Sequence, residues 1–282
     1  YCRMTGESFD IAVTYLRVDA VGHMLMGPTL VGCAALRGVG NMRTPMMVFV
    51  VINFVNVIAS CSLVYGWGPL PTLGVNGIVG GTVIARITGA MILLAILYAG
   101  SAGVKIRRGE LPIVWESTRR ILRIGIPAAA DGAIMWSGHF MFLAIISRLA
   151  DPPLGEIYFA THIIAMRVEA FSYLPAVAWA AATATMIGQA LGAQNPRRAI
   201  RAGHEGVLQC GLLSVGIATC FFIGSRFIFE QMSADPLVQA AGVRPFRILA
   251  MLQPFLVTSI VYVGDMRGAG ETRFPMLITI AG

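Results

Sequence analysis

The chain has 282 residues, of which 56% are hydrophobic and only 12% are charged, and its net charge is +7. Soluble domains carry about 25% charged residues, so this composition excludes a soluble globular protein and predicts an integral membrane protein. Because the chain has no initial Met, opens on a polar stretch and stops within an apolar run, we expect it to be a fragment.

Long apolar runs predict an all-α membrane fold, because each complete run reaches the ~20 residues that a helix needs to cross a bilayer. In chain order the predicted spans are 12–36, 46–66, 77–100, 125–149, 158–190, 205–229 and 243–266, with an eighth run beginning at Met276. The basic segment 101–124 is too polar to be a span. We expect it to be a cytoplasmic linker between residues 1–100 and 125–282.

The basic residues lie in alternate connections between these spans. Connections 67–76, 151–157 and 230–242 contain no Lys or Arg, whereas the intervening connections hold most of the Arg. This is the positive-inside distribution of a polytopic membrane protein, so the basic connections are predicted to be cytoplasmic. The positive charge therefore indicates topology and anionic membrane lipids rather than nucleic acid.

One basic turn occurs twice, as RGVGNMRTPMM at 37–47 and as RGAGETRFPML at 267–277. The shared positions are Arg37/Arg267, Gly38/Gly268, Gly40/Gly270, Arg43/Arg273, Pro45/Pro275 and Met46/Met276. Glycine allows a tight turn, proline opens the next helix, and arginine reaches the lipid headgroups. Six spans separate the copies, so they run in the same direction and predict a parallel six-helix repeat.

Two acidic side chains within the spans are candidate functional residues, because a charge inside a membrane is normally kept to line a cavity or to meet a partner. Asp131 shares a helix face with Met135, and Trp136 follows; a packing hydrogen bond is the alternative for Asp131. Arg86 is a possible partner for either acid.

Glu169 is the second acid, on a face with His162, Met166 and Tyr173. We expect it to have no local partner, leaving a cavity-lining role or an interhelical salt bridge. Asp265, next to the second copy of the turn, is expected to be a solvated cap. The four His and five Cys show no metal-ligand spacing, so no metal or cofactor is predicted.

These stretches together resemble the multidrug and toxic compound extrusion (MATE) family. The resemblance is carried by the duplicated turn, by GWGPLPTLGVNG at 66–77, by IGQALGAQNPRRAIRAG at 187–203 and by SADPLV at 233–238. It implies two six-helix bundles facing a central cavity in a bacterial inner membrane, and a monomeric transporter rather than an enzyme. It further implies export of amphipathic, often cationic, small molecules in exchange for Na⁺ or H⁺.

On this resemblance the chain runs from the fourth helix into the eleventh. Many members carry two Asn followed by Asp-Pro in the fifth helix; this chain keeps Asn53 and Asn56 as candidate cation-coupling residues but has Ser60 and Cys61 at the acidic position. One branch has a carboxylate where Met135 stands here. A flippase for lipid-linked sugars, or another metabolite exporter of the wider superfamily, remains the alternative.

Overall fold

The computed structural model of the chain describes residues 7–67, 72–106, 109, 114–146, 148–149 and 154–281. The helices in these ranges are α1 (Glu7–Gly38), α2 (Arg43–Tyr65), α3 (Val75–Ala99), α4 (Trp115–Ile146), α5 (Leu154–Gly192), α6 (Pro196–Met232), α7 (Pro236–Gly268) and α8 (Arg273–Ala281). Helices α1 to α7 are long and apolar enough to cross a membrane. The predicted all-α fold with seven spans is confirmed.

The helices pack into two units, residues 2–113 and residues 114–282. In the first unit α3 packs against both α1 and α2; in the second unit α7 packs against α5 and α6, and α4 packs against α8. A cluster around Phe229 and Phe246 forms one core of the second unit, and Cys33, Leu36 and Leu93 lie in the core of the first.

Glycines bring helix backbones into direct contact in both units. A Cβ added at Gly268 of α7 would lie 2.5 Å from the Cα of Ala184 in α5, and one at Gly264 would lie 2.6 Å from the Cβ of Ala180. On both helices the small residues are four apart, and the two pairs face each other. This pattern lets membrane helices approach closely although no hydrophobic effect drives them together in lipid. Gly77 of α3 approaches the backbone of Leu63 in α2 in the same way.

Several helices extend beyond the predicted spans. Helix α4 begins at Trp115, inside the expected linker 101–124, and α5 and α6 have 39 and 37 residues. Hydropathy locates only the part of a helix that is apolar, whereas backbone hydrogen bonds continue wherever the end is capped. At the start of α6 the side chain of Asn195 accepts a hydrogen bond of 3.0 Å from the backbone N–H of Arg198.

The two copies of the turn have the same structure. Helices α1 and α7 end at Gly38 and Gly268, and α2 and α8 begin at the two equivalent Arg. Gly40 and Gly270 have φ of 86° and 85°, a left-handed conformation that favours glycine. In each copy this glycine donates its N–H to the carbonyl three residues earlier, at 2.8 and 3.0 Å.

The proline of the turn lies in the first turn of the next helix in both copies. Each is the third residue of its helix, since α8 begins at Arg273 and α2 at Arg43. The missing N–H therefore falls among the first four of a helix, which have no partner within it, as expected. Pro275 is less than 2% exposed and Pro45 is buried as well, so the rings also contribute to packing within their units.

A third turn of the same kind, which the sequence analysis missed, joins α5 to α6. Gln194 takes the glycine position with φ of 57° and donates its N–H to Leu191 at 2.9 Å. The next residue, Asn195, donates to the carbonyl of Ala190 at 2.9 Å, as Asn41 does to Leu36 at 3.0 Å. The signal available in the sequence was GAQNPR, which shares its first Gly, its Asn and its Arg with GVGNMR and differs at the other three positions.

Candidate functional site

A cavity of about 280 Å³ lies among α1, α2 and α3 in the first unit. Its polar lining brings together three of the predicted site residues, Asn53, Asn56 and Arg86, with Thr29 and Thr82. The remaining lining is apolar. Since α2 and α3 also meet through Gly77, these helices hold the polar groups on a closely packed scaffold.

The amide nitrogens of Asn53 and Asn56 each donate a hydrogen bond to a defined acceptor. Asn56 donates from Nδ2 to the hydroxyl of Thr82 at 3.1 Å, and Asn53 donates from Nδ2 to the carbonyl of Phe49 at 2.8 Å. Because the amide nitrogens are occupied in this way, each amide oxygen keeps its acceptor capacity for a cation or a hydrogen-bond donor. Ser60, at the position expected to be acidic, donates to the carbonyl of Ile78 at 3.4 Å.

Arg86 is held by a carboxylate that the sequence analysis overlooked, Asp19 of α1. The Arg86 Nη1 lies 2.8 Å from Asp19 Oδ1, 3.3 Å from the Asp19 carbonyl oxygen and 3.2 Å from His23 Nδ1. His23 Nδ1 in turn lies 3.0 Å from Asp19 Oδ2. The expectation that Arg86 pairs with Asp131 or Glu169 is therefore wrong. The sequence contained an indication of this cluster, because Asp19 and His23 are four residues apart in one predicted span and so share a helix face.

Asp131 is buried in the second unit and is paired. Its Oδ2 accepts a charge-assisted hydrogen bond from Arg267 Nη2, so α4 is tied to the second copy of the turn. Of the two roles expected for Asp131, the packing interaction is the one seen. Met135 and Trp136, one turn further along α4, are both more than half exposed.

Glu169 has a partner on another helix, which agrees with the expectation that it has no local one. Gln253 of α7, only 1% exposed, donates from Nε2 to Glu169 Oε1 at 2.9 Å and accepts from the hydroxyl of Ser172 at 3.0 Å. The partner is an amide rather than the base of a salt bridge. Met166 and Tyr173 flank Glu169 on α5, half-buried and exposed respectively. A glutamine in the middle of a predicted span was the signal for this network.

Asp265 is buried, not a solvated cap as expected. A Cβ added at Gly203 of α6 would lie 3.0 Å from Asp265 Oδ2, so α6 covers the carboxylate directly. The physical reason is that α5 and α6 continue as helices past the predicted spans and enclose the end of α7. In the part of the chain that the structure describes, no group of three His, Cys, Asp or Glu side chains could hold a metal ion.

The chain is similar to known transporters over nearly all of its length. It is 30% identical over 276 residues to the "Probable multidrug resistance protein NorM" of Thermotoga maritima, and this match covers 98% of the chain and 58% of that protein. It is 24% identical to the "Multidrug resistance protein MdtK" of Pectobacterium atrosepticum, covering 86% of the chain and 52% of that protein.

Solved structures share the fold. The chain superposes with a TM-score of 0.90 on a MOP-superfamily transporter from Pyrococcus furiosus, at 19% identity, covering 99% of the chain and 61% of that protein. A MATE structure in complex with MaL6 gives a TM-score of 0.89 at 20% identity and 98% coverage, again over 61% of the longer protein. The chain thus spans about three fifths of the length of these relatives.

The profile of the family described as MatE matches residues 127–282, more than half of the chain. Members of this family are transporters and not enzymes. With its seven apolar helices and its duplicated turn, the chain is a multi-pass membrane protein that belongs to the MATE family.

Proposed function

We propose that the complete protein is a secondary transporter of the cell membrane that exports amphipathic organic compounds, often cationic, in exchange for Na⁺ or H⁺. The observation that carries the proposal is the cavity of the first unit, where Asn53, Asn56 and Thr82 place oxygen atoms beside the paired Arg86. Oxygens of amides and hydroxyls are the ligands that hard cations prefer, and they also accept hydrogen bonds from protonated groups.

The two acids of the second unit have a different proposed role. Asp131 neutralises Arg267 and Glu169 accepts from Gln253, so both are engaged in holding helices together. We assign them to positioning the second unit and not to binding the coupling ion. The exposed apolar surface of Met135 and Trp136, with Met166 and Tyr173 on α5, supports a proposed contact surface for the substrate, because thioethers and aromatic rings adapt to varied apolar shapes.

A flippase for lipid-linked sugars is less well supported. Such a protein needs cationic side chains that are free to bind phosphate, whereas the one cation among the described residues that line the cavity of the first unit is Arg86, which already pairs with Asp19 at 2.8 Å. An exporter of uncharged or cationic compounds suits a neutralised cavity better.

The proposal is tested with the complete protein in everted membrane vesicles, with a fluorescent organic cation added outside, on the cytoplasmic face, and its uptake into the vesicles measured. Imposed Na⁺ and H⁺ gradients are compared in turn, and either one should drive transport of the dye. Asn56→Val should abolish gradient-driven transport because it removes the amide that faces Thr82, whereas Thr88→Val, a change at a half-buried residue of α3 outside the cavity, should not. Transport that is indifferent to both gradients would overturn the proposal.

A further inference from the structure

The ring nitrogen Nδ1 of His23 lies between a donor and an acceptor. It is 3.2 Å from Arg86 Nη1 and 3.0 Å from Asp19 Oδ2. An arginine guanidinium has five N–H donors and no acceptor at any accessible pH. The contact with Arg86 is therefore a hydrogen bond only when Nδ1 carries no proton, and the contact with Asp19 is one only when it does.

The residues around His23 are arranged so that Arg86 and Asp19 compete for its Nδ1. A Cβ added at Gly22 of α1 would lie 2.9 Å from Arg86 Nη1, so glycine there leaves room for the guanidinium. Arg86 and Asp19 are each about four fifths buried, whereas the His23 side chain is 59% exposed. Across the cavity α2 contributes the neutral Asn53 and Asn56, so among the described residues the charged groups that meet His23 are Asp19 and Arg86.

We propose that His23 is a proton-binding site that controls whether Arg86 stays on Asp19 or moves into the cavity of the first unit. In the neutral ring of this proposal the proton is on Nε2, which leaves Nδ1 to accept from Arg86; when a second proton binds Nδ1, the ring becomes cationic and donates to Asp19 Oδ2. Two cations then share one carboxylate, and the former hydrogen bond from Arg86 becomes a contact between two donors of like charge. The guanidinium, which already lines the cavity, is the group free to move toward Asn53 and Asn56.

This inference rests on the proposed function for its meaning in transport. A guanidinium released into a small cavity adds a positive charge there, and that charge disfavours any other cation in the same space. Proton binding at His23 and cation binding in the cavity thus oppose each other, and by linkage each weakens the other to the same extent. The arrangement couples proton entry to cation release.

The test measures the two side chains directly in the complete wild-type protein, reconstituted in liposomes and labelled with ¹⁵N at His and Arg. The chain contains four His, so His23→Gln assigns the His23 ring signals in solid-state NMR spectra, and Arg86→Lys assigns those of Arg86. We expect the Arg86 guanidinium signals to change over the same pH interval in which His23 Nδ1 gains its proton. Arg86 signals that stay constant through the His23 titration would overturn the proposal.

A transport arm uses variants. His23→Gln should remove the pH dependence of both dye binding and dye efflux, and His204→Gln, a change at an exposed residue of α6 in the second unit, should leave both pH dependences as in the wild type. Efflux by His23→Gln with the wild-type pH dependence would contradict the coupling. If the wild-type protein transports no dye at all, the proposed function fails, yet the NMR measurement still decides whether the proton site exists.

Discussion

The two copies of the turn allow one substitution to be tested in two environments. Gly38 and Gly268 occupy the same position in the repeat, but a Cβ added at Gly38 meets nothing within 4 Å, whereas one at Gly268 would lie 2.5 Å from Ala184 Cα and 2.6 Å from its carbonyl oxygen. The atoms in the way belong to the backbone of α5, which cannot rotate aside. Gly268→Ala therefore forces α5 and α7 apart.

The magnitudes follow from two opposing effects. Overpacking a tight contact costs about 1–3 kcal/mol, and replacing glycine by alanine in a helix gains up to about 1 kcal/mol. We expect Gly268→Ala to destabilise the protein by about 1–2 kcal/mol net. Gly38→Ala should leave stability unchanged or raise it by about 0.5–1 kcal/mol.

The assay is thermal unfolding of the complete protein in detergent, followed by the loss of monodisperse protein, with both variants at matched concentration. The midpoint should fall for Gly268→Ala and hold or rise for Gly38→Ala. Equal midpoints for the two variants would show that the close approach of α5 and α7 does not limit stability, and would refute the reasoning from backbone contact.

Three further predictions concern polar groups of the second unit. Asp131→Asn should lower the unfolding midpoint, because an amide binds Arg267 less strongly than a carboxylate. The ion dependence of transport should stay unchanged in this variant. A changed ion dependence would restore Asp131 as a coupling residue. Gln253→Leu should cost about 1–3 kcal/mol, since it leaves the Glu169 carboxylate without its buried donor, and normal stability of this variant would contradict the prediction. Two backbone N–H groups at the start of α8 donate to Glu271 and lower the pKa of its carboxyl, so its stabilising contribution is present above the ordinary glutamate pKa and is lost as pH falls through the lowered value. The protection factors for amide exchange at the start of α8, corrected for the intrinsic pH dependence of exchange, should fall on acidification, and Glu271→Gln should remove that fall.

The sequence was sufficient for features that depend on local composition. Apolar length located seven helices, and the repeated Arg, Gly and Pro located two turns whose helix ends agree in register. Both kinds of signal are carried by neighbouring residues. Hydropathy could not locate the ends of α4, α5 and α6, because a capped helix continues into water with a polar sequence.

Pairings between distant helices could not be predicted, because periodicity shows which residues share a face but not which helix that face meets. Arg86 and Asp19 are 67 residues apart, and Glu169 and Gln253 are 84 apart. Opposite charge was the only criterion for a partner, so the amide of Gln253 was missed. Asp265 was misjudged because its burial depends on Gly203, a residue of α6 with no side chain to suggest contact.

The third turn shows the limit of matching residue types. A left-handed backbone costs a residue other than glycine about 1–2 kcal/mol, so a glycine is the feature that a sequence comparison seeks. Gln194 adopts that conformation nonetheless, and the flanking hydrogen bonds of Asn195 to Ala190 and to Arg198 are those that hold it. The backbone conformation of the turn is thus kept between α5 and α6, although glycine, the residue by which the turn is recognised in a sequence, is replaced by Gln194.

The same turn connects α1 to α2, α5 to α6 and α7 to α8, and in each case its hydrogen bonds join residues within a stretch of six. None of the three depends on a residue from another helix for these bonds. We therefore expect each connection to satisfy its own backbone groups locally as it reaches the membrane, before the helices on either side have met their packing partners. Those partners lie elsewhere in the chain, since α1 and α2 both pack against α3 and α8 packs against α4.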